Sequence, residues 1–118
     1  MAEMGVFIGW GAPVRGREAR GLEVFNEGVA YWGRLQEEGA IESFEVVLLY
    51  PHGGDLYGFT LVRGSGEALD RMRASDEFND LVSRAGLVVE RVGVVSAALG
   101  ESLGSQVERY RRQVAELA

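Results

Sequence analysis

His52 is the only histidine in the chain, and so the only side chain whose unperturbed charge changes near neutrality. It stands in Pro51-His52-Gly53-Gly54-Asp55, and as a general acid or base it is the single candidate catalytic residue. Around it, residue type nominates a small binding set. Arg15 and Asp55 could hold the polar ends of a ligand. Trp10, Phe25, Trp32, Tyr50 and Tyr57 could wall its apolar body, the tyrosines adding hydroxyls. An arginine, an imidazole, a carboxylate and an indole at one rim would suit a small anion or an enolate. Each also has a plainer reading: His52 as a solvated loop residue, Asp55 as a turn former, and the aromatics as core or interface.

Other chemistries lack their residues. Without cysteine there is no thiol nucleophile, no thiolate metal site and no disulfide framework. One histidine without a carboxylate cluster makes no zinc site, so neither metal nor cofactor is expected. A Ser-His-Asp arrangement would have to use His52 in its flexible turn. Gly11-Ala12-Pro13-Val14-Arg15-Gly16-Arg17-Glu18 has P-loop spacing, but Arg17 replaces the lysine and Glu18 replaces the hydroxyl that would hold magnesium. Gly9-Trp10-Gly11 opens a dinucleotide fingerprint that fails at Val14. A net charge of −6 repels phosphate backbones, which argues against a nucleic-acid partner. The first residues, MAEMGVFIGWG, carry neither a positive n-region nor a long apolar run. We therefore expect no signal peptide, no membrane span and a cytoplasmic protein.

The elements that must position these residues follow from hydrophobic period. Met4–Trp10 is a mostly apolar strand. Arg17–Glu38 has helical spacing, with Leu22, Phe25, Val29 and Trp32 at steps of three and four and Gly39 as its stop. Ser43–Tyr50 and Leu56–Val62 are strands joined by the 51–55 turn. In the second of them Tyr57, Phe59 and Leu61 share a face, which we place toward the helices. Glu67–Ala85 is helical, with a break and restart at Ser75-Asp76-Glu77 and an end at Gly86. Leu87–Ala97 is a fourth strand. A C-terminal helix over 101–117 carries Leu103, Val107, Tyr110, Val114 and Leu117 at alternating steps of four and three. Its patch Arg109-Tyr110-Arg111-Arg112 is balanced by Glu101, Glu108 and Glu116 and reads as a solvated face.

The order β-α-β-β-α-β plus a helix is the split βαβ, ferredoxin-like arrangement. Right-handed crossovers give an α+β domain with an antiparallel sheet in order 4-1-3-2 and both helices on one face. We read one domain over 1–118, with its core at 4–98. The other sheet face carries too much apolar surface to be left wet, so a second subunit should cover it.

Leu69-Asp70-Arg71-Met72-Arg73-Ala74-Ser75-Asp76-Glu77-Phe78, then Leu81 and a valine-rich strand, resembles the dimeric α+β barrel superfamily. Its members include antibiotic-biosynthesis monooxygenases, muconolactone isomerases, polyketide cyclases, haem-degrading enzymes and stress-response barrel proteins. The resemblance covers residues 4–98 and rests on element order and a loose S-x-E-F-x-x-L restart. It implies two sheets closing face to face as a homodimer, with a ligand pocket between each sheet and its own helices. Cofactor-independent oxygenation, isomerisation or cyclisation is the chemistry it permits. No residue here matches a catalytic motif of the family, and the helix histidine of some haem-degrading members is missing. The expected function is binding of a small aromatic or carboxylate-bearing molecule. The alternative is a non-catalytic dimerisation or protein-interaction module, which a solidly packed sheet–helix layer would favour.

Overall fold

The computed structural model describes residues 3–118; Met1 and Ala2 of the expected 1–118 domain lie outside it. The strands are β1 (Met4–Trp10), β2 (Ser43–Leu48), β3 (Gly58–Gly64) and β4 (Gly93–Ala98). The helices are α1 (Glu18–Glu37), α2 (Gly66–Ala74), α3 (Asp76–Val88) and α4 (Glu101–Leu117). The sheet order is β2-β3-β1-β4, the expected 4-1-3-2 read from the other edge. All three pairings are antiparallel. Val6 lies opposite Val62 in β3 and Ser96 in β4, and Val47 in β2 lies opposite Phe59 in β3. This is the ferredoxin-like fold.

Helix boundaries follow local chemistry. α1 ends in a Schellman motif: Gly39 takes φ +76°, the Gly39 N–H donates to Gln36 O (3.1 Å) and the Ala40 N–H donates to Leu35 O (2.9 Å). A residue with a Cβ would be strained there. The expected restart at Ser75 is present. The Ser75 hydroxyl accepts the Phe78 N–H (3.2 Å) to cap α3 and donates to Met72 O (2.7 Å) at the end of α2.

Four expectations are corrected. β2 stops at Leu48 and β3 starts at Gly58, so the connection is 49–57 and not the short 51–55 turn. Single backbone bonds persist beyond the ladder, from Leu49 N–H to Tyr57 O (2.9 Å) and from Tyr57 N–H to Trp10 O (2.8 Å). Gly86 does not end α3; it stays helical, and the helix runs to Val88, which is buried near Gly21 of α1. β4 consequently begins at Gly93 rather than Leu87. The residues between pair with the chain leaving β1: Val14 N–H donates to Val88 O (2.9 Å), and Pro13 and Val89 form a bridge. A valine-rich run reads as strand by composition, but here it is split between a helix end and a connector.

The fourth correction is the sheet face. Gly58, Thr60, Val62 and Gly64 face the helices, and Phe59 and Leu61 face away. The buried layer joins Val6, Ile8 and Val62 to Tyr31, Trp32, Leu35, Leu69, Met72 and Phe78. Helices that bring two large rings, Trp32 and Phe78, need small or β-branched side chains beneath them to reach interior density. The large sheet residues are displaced to the open face, where Phe7 stacks on Phe59 at 5.0 Å.

Candidate functional site

The space between sheet and helices, where sequence reasoning put a ligand pocket, is filled by the core just described. A concavity of about 370 Å³ lies instead at the sheet rim, where the 49–57 loop meets Ala12, Glu90 and Arg91. Four of the nominated residues line it: Tyr50, His52, Asp55 and Tyr57.

His52 organises the loop. Its Nδ1 accepts the Gly54 N–H (3.2 Å), and its Nε2 lies 2.8 Å from the Leu56 carbonyl oxygen. Since a carbonyl only accepts, this geometry fits the tautomer that carries its proton on Nε2. Both nitrogens are thereby committed to the loop's own backbone. Gly54 lies so close to the imidazole that an added Cβ would stand 2.6 Å from its Cε1.

Arg91 closes the other side. It adopts φ +57°, a region few non-glycine residues enter. Its turn is over-determined by neighbours: Gly11 N–H donates to Glu90 O (2.7 Å) and Glu90 N–H to Ala12 O (2.8 Å). Arg91 Nη1 lies 3.9 Å from the Asp55 carboxylate, at the outer limit of an ion pair, and both side chains are exposed. Among the described residues this long contact is the guanidinium's ion pair, and it holds the side chain loosely. Sequence reasoning did not nominate Arg91, because its backbone conformation and the 11–14 with 88–90 pairing leave no residue-type signal.

The remaining nominees are elsewhere. Trp10 packs edge-on against Phe25 (centroids 6.2 Å apart) on the helix side of the sheet, with its indole over Gly58. Trp32 is 4% exposed, in the core between Tyr31 and Phe78. Arg15 is exposed in the turn after β1, outside the cavity lining. Arg17, beside it, donates to Leu87 O (3.2 Å), which fixes the start of α1 to the end of α3.

A second depression, about 530 Å³, follows the α1–α3 groove past Tyr31, Arg34, Glu77 and Asp80. Its cations are already engaged. Arg84 holds Glu27 through two bonds (2.7 and 3.0 Å), and Arg34 bonds Glu77. The hydrogen bonds to Glu77 and to Glu27 raise Arg34 and Arg84, respectively, above the ordinary arginine value. Burial holds the Tyr31 phenol above its usual range, against the opposing pull of a Ser75 hydrogen bond. These groups clamp two helices together. Among the described residues no cluster of histidine, cysteine and carboxylates could hold a metal ion, and no helix is long and apolar enough to cross a membrane.

No protein-family model matches the chain, and no curated protein matches it. Solved structures match its fold. A dimeric protein of unknown function and ferredoxin-like fold from Bacteroides fragilis superposes with a TM-score of 0.60 at 14% identity, covering 81% of this chain and 96% of its own. SnoaB, a cofactor-independent oxygenase from Streptomyces nogalater, gives 0.56 at 16% identity, with 84% and 95% covered. A putative antibiotic biosynthesis monooxygenase from Chloroflexus aurantiacus gives 0.53 at 15% identity, with 82% and 93% covered.

Proposed function

We propose that this chain is a homodimer whose rim cavity binds a small aromatic monocarboxylate; the filled sheet–helix layer removes the pocket expected there and favours a non-catalytic dimerisation module as the second reading. The reading is carried by one observation: Arg91 lines a cavity together with Tyr50 and Tyr57, and among the described residues its guanidinium has a 3.9 Å contact to Asp55. A ligand carboxylate would replace that weak partner with a two-pronged, charge-assisted contact. Asp55 and Glu90 set two carboxylates against one guanidinium in the lining, so every anion meets some repulsion there and a monoanion meets less of it than a polyanion such as a phosphate ester. The apolar walls suit a ring.

The homodimer is supported by the apolar open face of the sheet and by the fold neighbour from Bacteroides fragilis that is described as dimeric. Cofactor-independent oxygenation, the activity named for SnoaB, would need a base facing the substrate. His52 could serve only by releasing Gly54 N–H, so we infer ligand binding as the function of the resting geometry.

The test is a thermal-shift and calorimetric screen of substituted benzoates, small phenolic acids and quinones. A ligand at a hundred times its Kd should stabilise the fold by about 2.7 kcal/mol. Arg91→Ala should remove the response to carboxylates, and His52→Ala should weaken it by loosening the loop. No stabilisation across the panel, or equal binding by Arg91→Ala, would refute the assignment.

A further inference from the structure

The most conspicuous feature the cavity does not use is α4. Its apolar residues Leu103, Val107, Tyr110, Val114 and Leu117 form one stripe, each 50–86% exposed. No residue of the helix is buried, and within the chain it packs on β4. The radius of gyration is 16.1 Å, against about 13.5 Å for a compact chain of this length, because α4 projects. An unsupported helix of 17 residues is marginal in water, so this one needs a partner surface.

The stripe is continuous with the open face of the sheet. Leu99, just before α4, sets its Cδ1 3.0 Å from where a Gly5 Cβ would stand, beside Leu61. Gly5 belongs to the same face as Phe7, so the apolar surface runs from the sheet through Leu99 onto Leu103. The area argues that both parts act together. Four strands of this length present a face of about 400 Å². That is half of the roughly 800 Å² per partner that a stable association buries. A helix of 17 residues adds a strip of about 250 Å².

Charge selects the occupant. Glu101, Glu108 and Glu116 offset Arg109, Arg111 and Arg112, so α4 is neutral within a chain of net charge −6. Two copies can meet along it without like-charge repulsion, whereas the acidic domain behind it would be repelled by an anionic bilayer. The three fold neighbours are covered over 93–96% of their own length but cover only 81–84% of this chain, an excess of the size of α4.

We propose that α4 is a dimer clasp: its Leu103–Leu117 stripe closes onto a second copy of this chain, completing the interface that the open sheet face begins. This rests on the homodimer reading above and adds the segment that makes it stable. The test is sedimentation of the full chain over a dilution series. Val107→Glu/Tyr110→Glu keeps good helix formers and places charge in the stripe; Arg112→Glu alters the opposite side; Leu61→Glu alters the sheet face. The expected result is a dimer whose Kd rises about tenfold or more in the stripe variant, with helical circular dichroism unchanged at concentrations where that variant is still dimeric, and is unmoved in Arg112→Glu. In the unaltered protein, α4 amides should gain hydrogen-exchange protection with concentration. A stripe variant that dimerises normally while Leu61→Glu dissociates would overturn the clasp and spare the dimer. A chain that stays monomeric throughout would overturn both. Concentration-independent exchange of α4, or flotation of the chain with phosphatidylserine vesicles through the stripe, would also overturn it.

Discussion

Gly58 is the first residue of β3, directly beneath the indole of Trp10. A Cβ there would lie 2.8 Å from Trp10 Cζ2, 2.8 Å from the Val47 carbonyl oxygen and 3.1 Å from Leu48 Cδ2. Ordinary contacts begin near 3.4 Å, so two groups must each retreat by more than half an ångström. One of them is backbone in the neighbouring strand, which cannot swing aside as a side chain would. Overpacking of this kind costs about 1–3 kcal/mol. Replacing glycine restricts the unfolded chain and returns about 0.4–1 kcal/mol. Gly58→Ala should therefore destabilise the fold by about 1–2 kcal/mol, or about 4–8 °C in Tm. Urea unfolding followed by tryptophan fluorescence and circular dichroism measures it, with an unchanged m-value as the sign that only stability moved. Repeating the substitution in Trp10→Ala separates the obstacles. A smaller penalty there assigns the strain to the indole, and an equal penalty assigns it to the Val47 carbonyl. The consequence should reach the rim, because Tyr57 precedes Gly58 and donates its N–H to Trp10 O (2.8 Å). Gly58→Ala should thus also weaken the ligand binding we propose for the cavity. A midpoint equal to or above that of the unaltered protein would refute the packing argument.

Three further outcomes follow from single sites. Gly33 lies inside α1 with nothing within 4 Å of an added Cβ, so Gly33→Ala should raise stability by about 1 kcal/mol in the same urea assay. Ser75→Ala removes the cap accepted by the Phe78 N–H and should lower stability by about 1 kcal/mol. Burial raises the Tyr31 phenol above the ordinary tyrosine value of 10.0, so the native state holds the phenolic proton more tightly than the unfolded chain does. Its contribution to stability is fully present below pH 10 and is lost as pH rises through the raised value. Alkaline unfolding titrations should show that loss, and Tyr31→Phe should flatten it.

How far the sequence carried each conclusion depends on whether the deciding physics is local. The Ser75 restart and the Gly39 stop were legible because a hydroxyl cap and a left-handed glycine act within a few residues of chain. Strand order was legible because handed crossovers leave few ways to thread six elements. The sheet face was not. Phe59 and Leu61 look more like core than Gly58 and Thr60, and the decision belongs to Trp32 and Phe78 arriving from the helices. The run from Leu87 to Val92 failed similarly, since composition cannot show that Val88 is needed as the buried last residue of α3.

The site divides along the same line. The end of β1 meets the hairpin loop, where Tyr57 donates its N–H to Trp10 O, and Tyr50, His52, Asp55 and Tyr57 line one cavity there, whereas Trp10 and Arg15 lie outside its lining. Topology could not foresee that the loop would consume the imidazole. Between Pro51 and Leu56 the chain has glycines at 53 and 54 and no ladder partner, and an irregular loop must satisfy its backbone somehow. The nearest acceptor for the Gly54 N–H and the nearest donor for the Leu56 carbonyl are the two nitrogens of one ring. The residue that looked most reactive is therefore the one the loop can least release. The charge to which we assign the proposed ligand is instead on Arg91, carried there by a backbone turn with no residue-type signature.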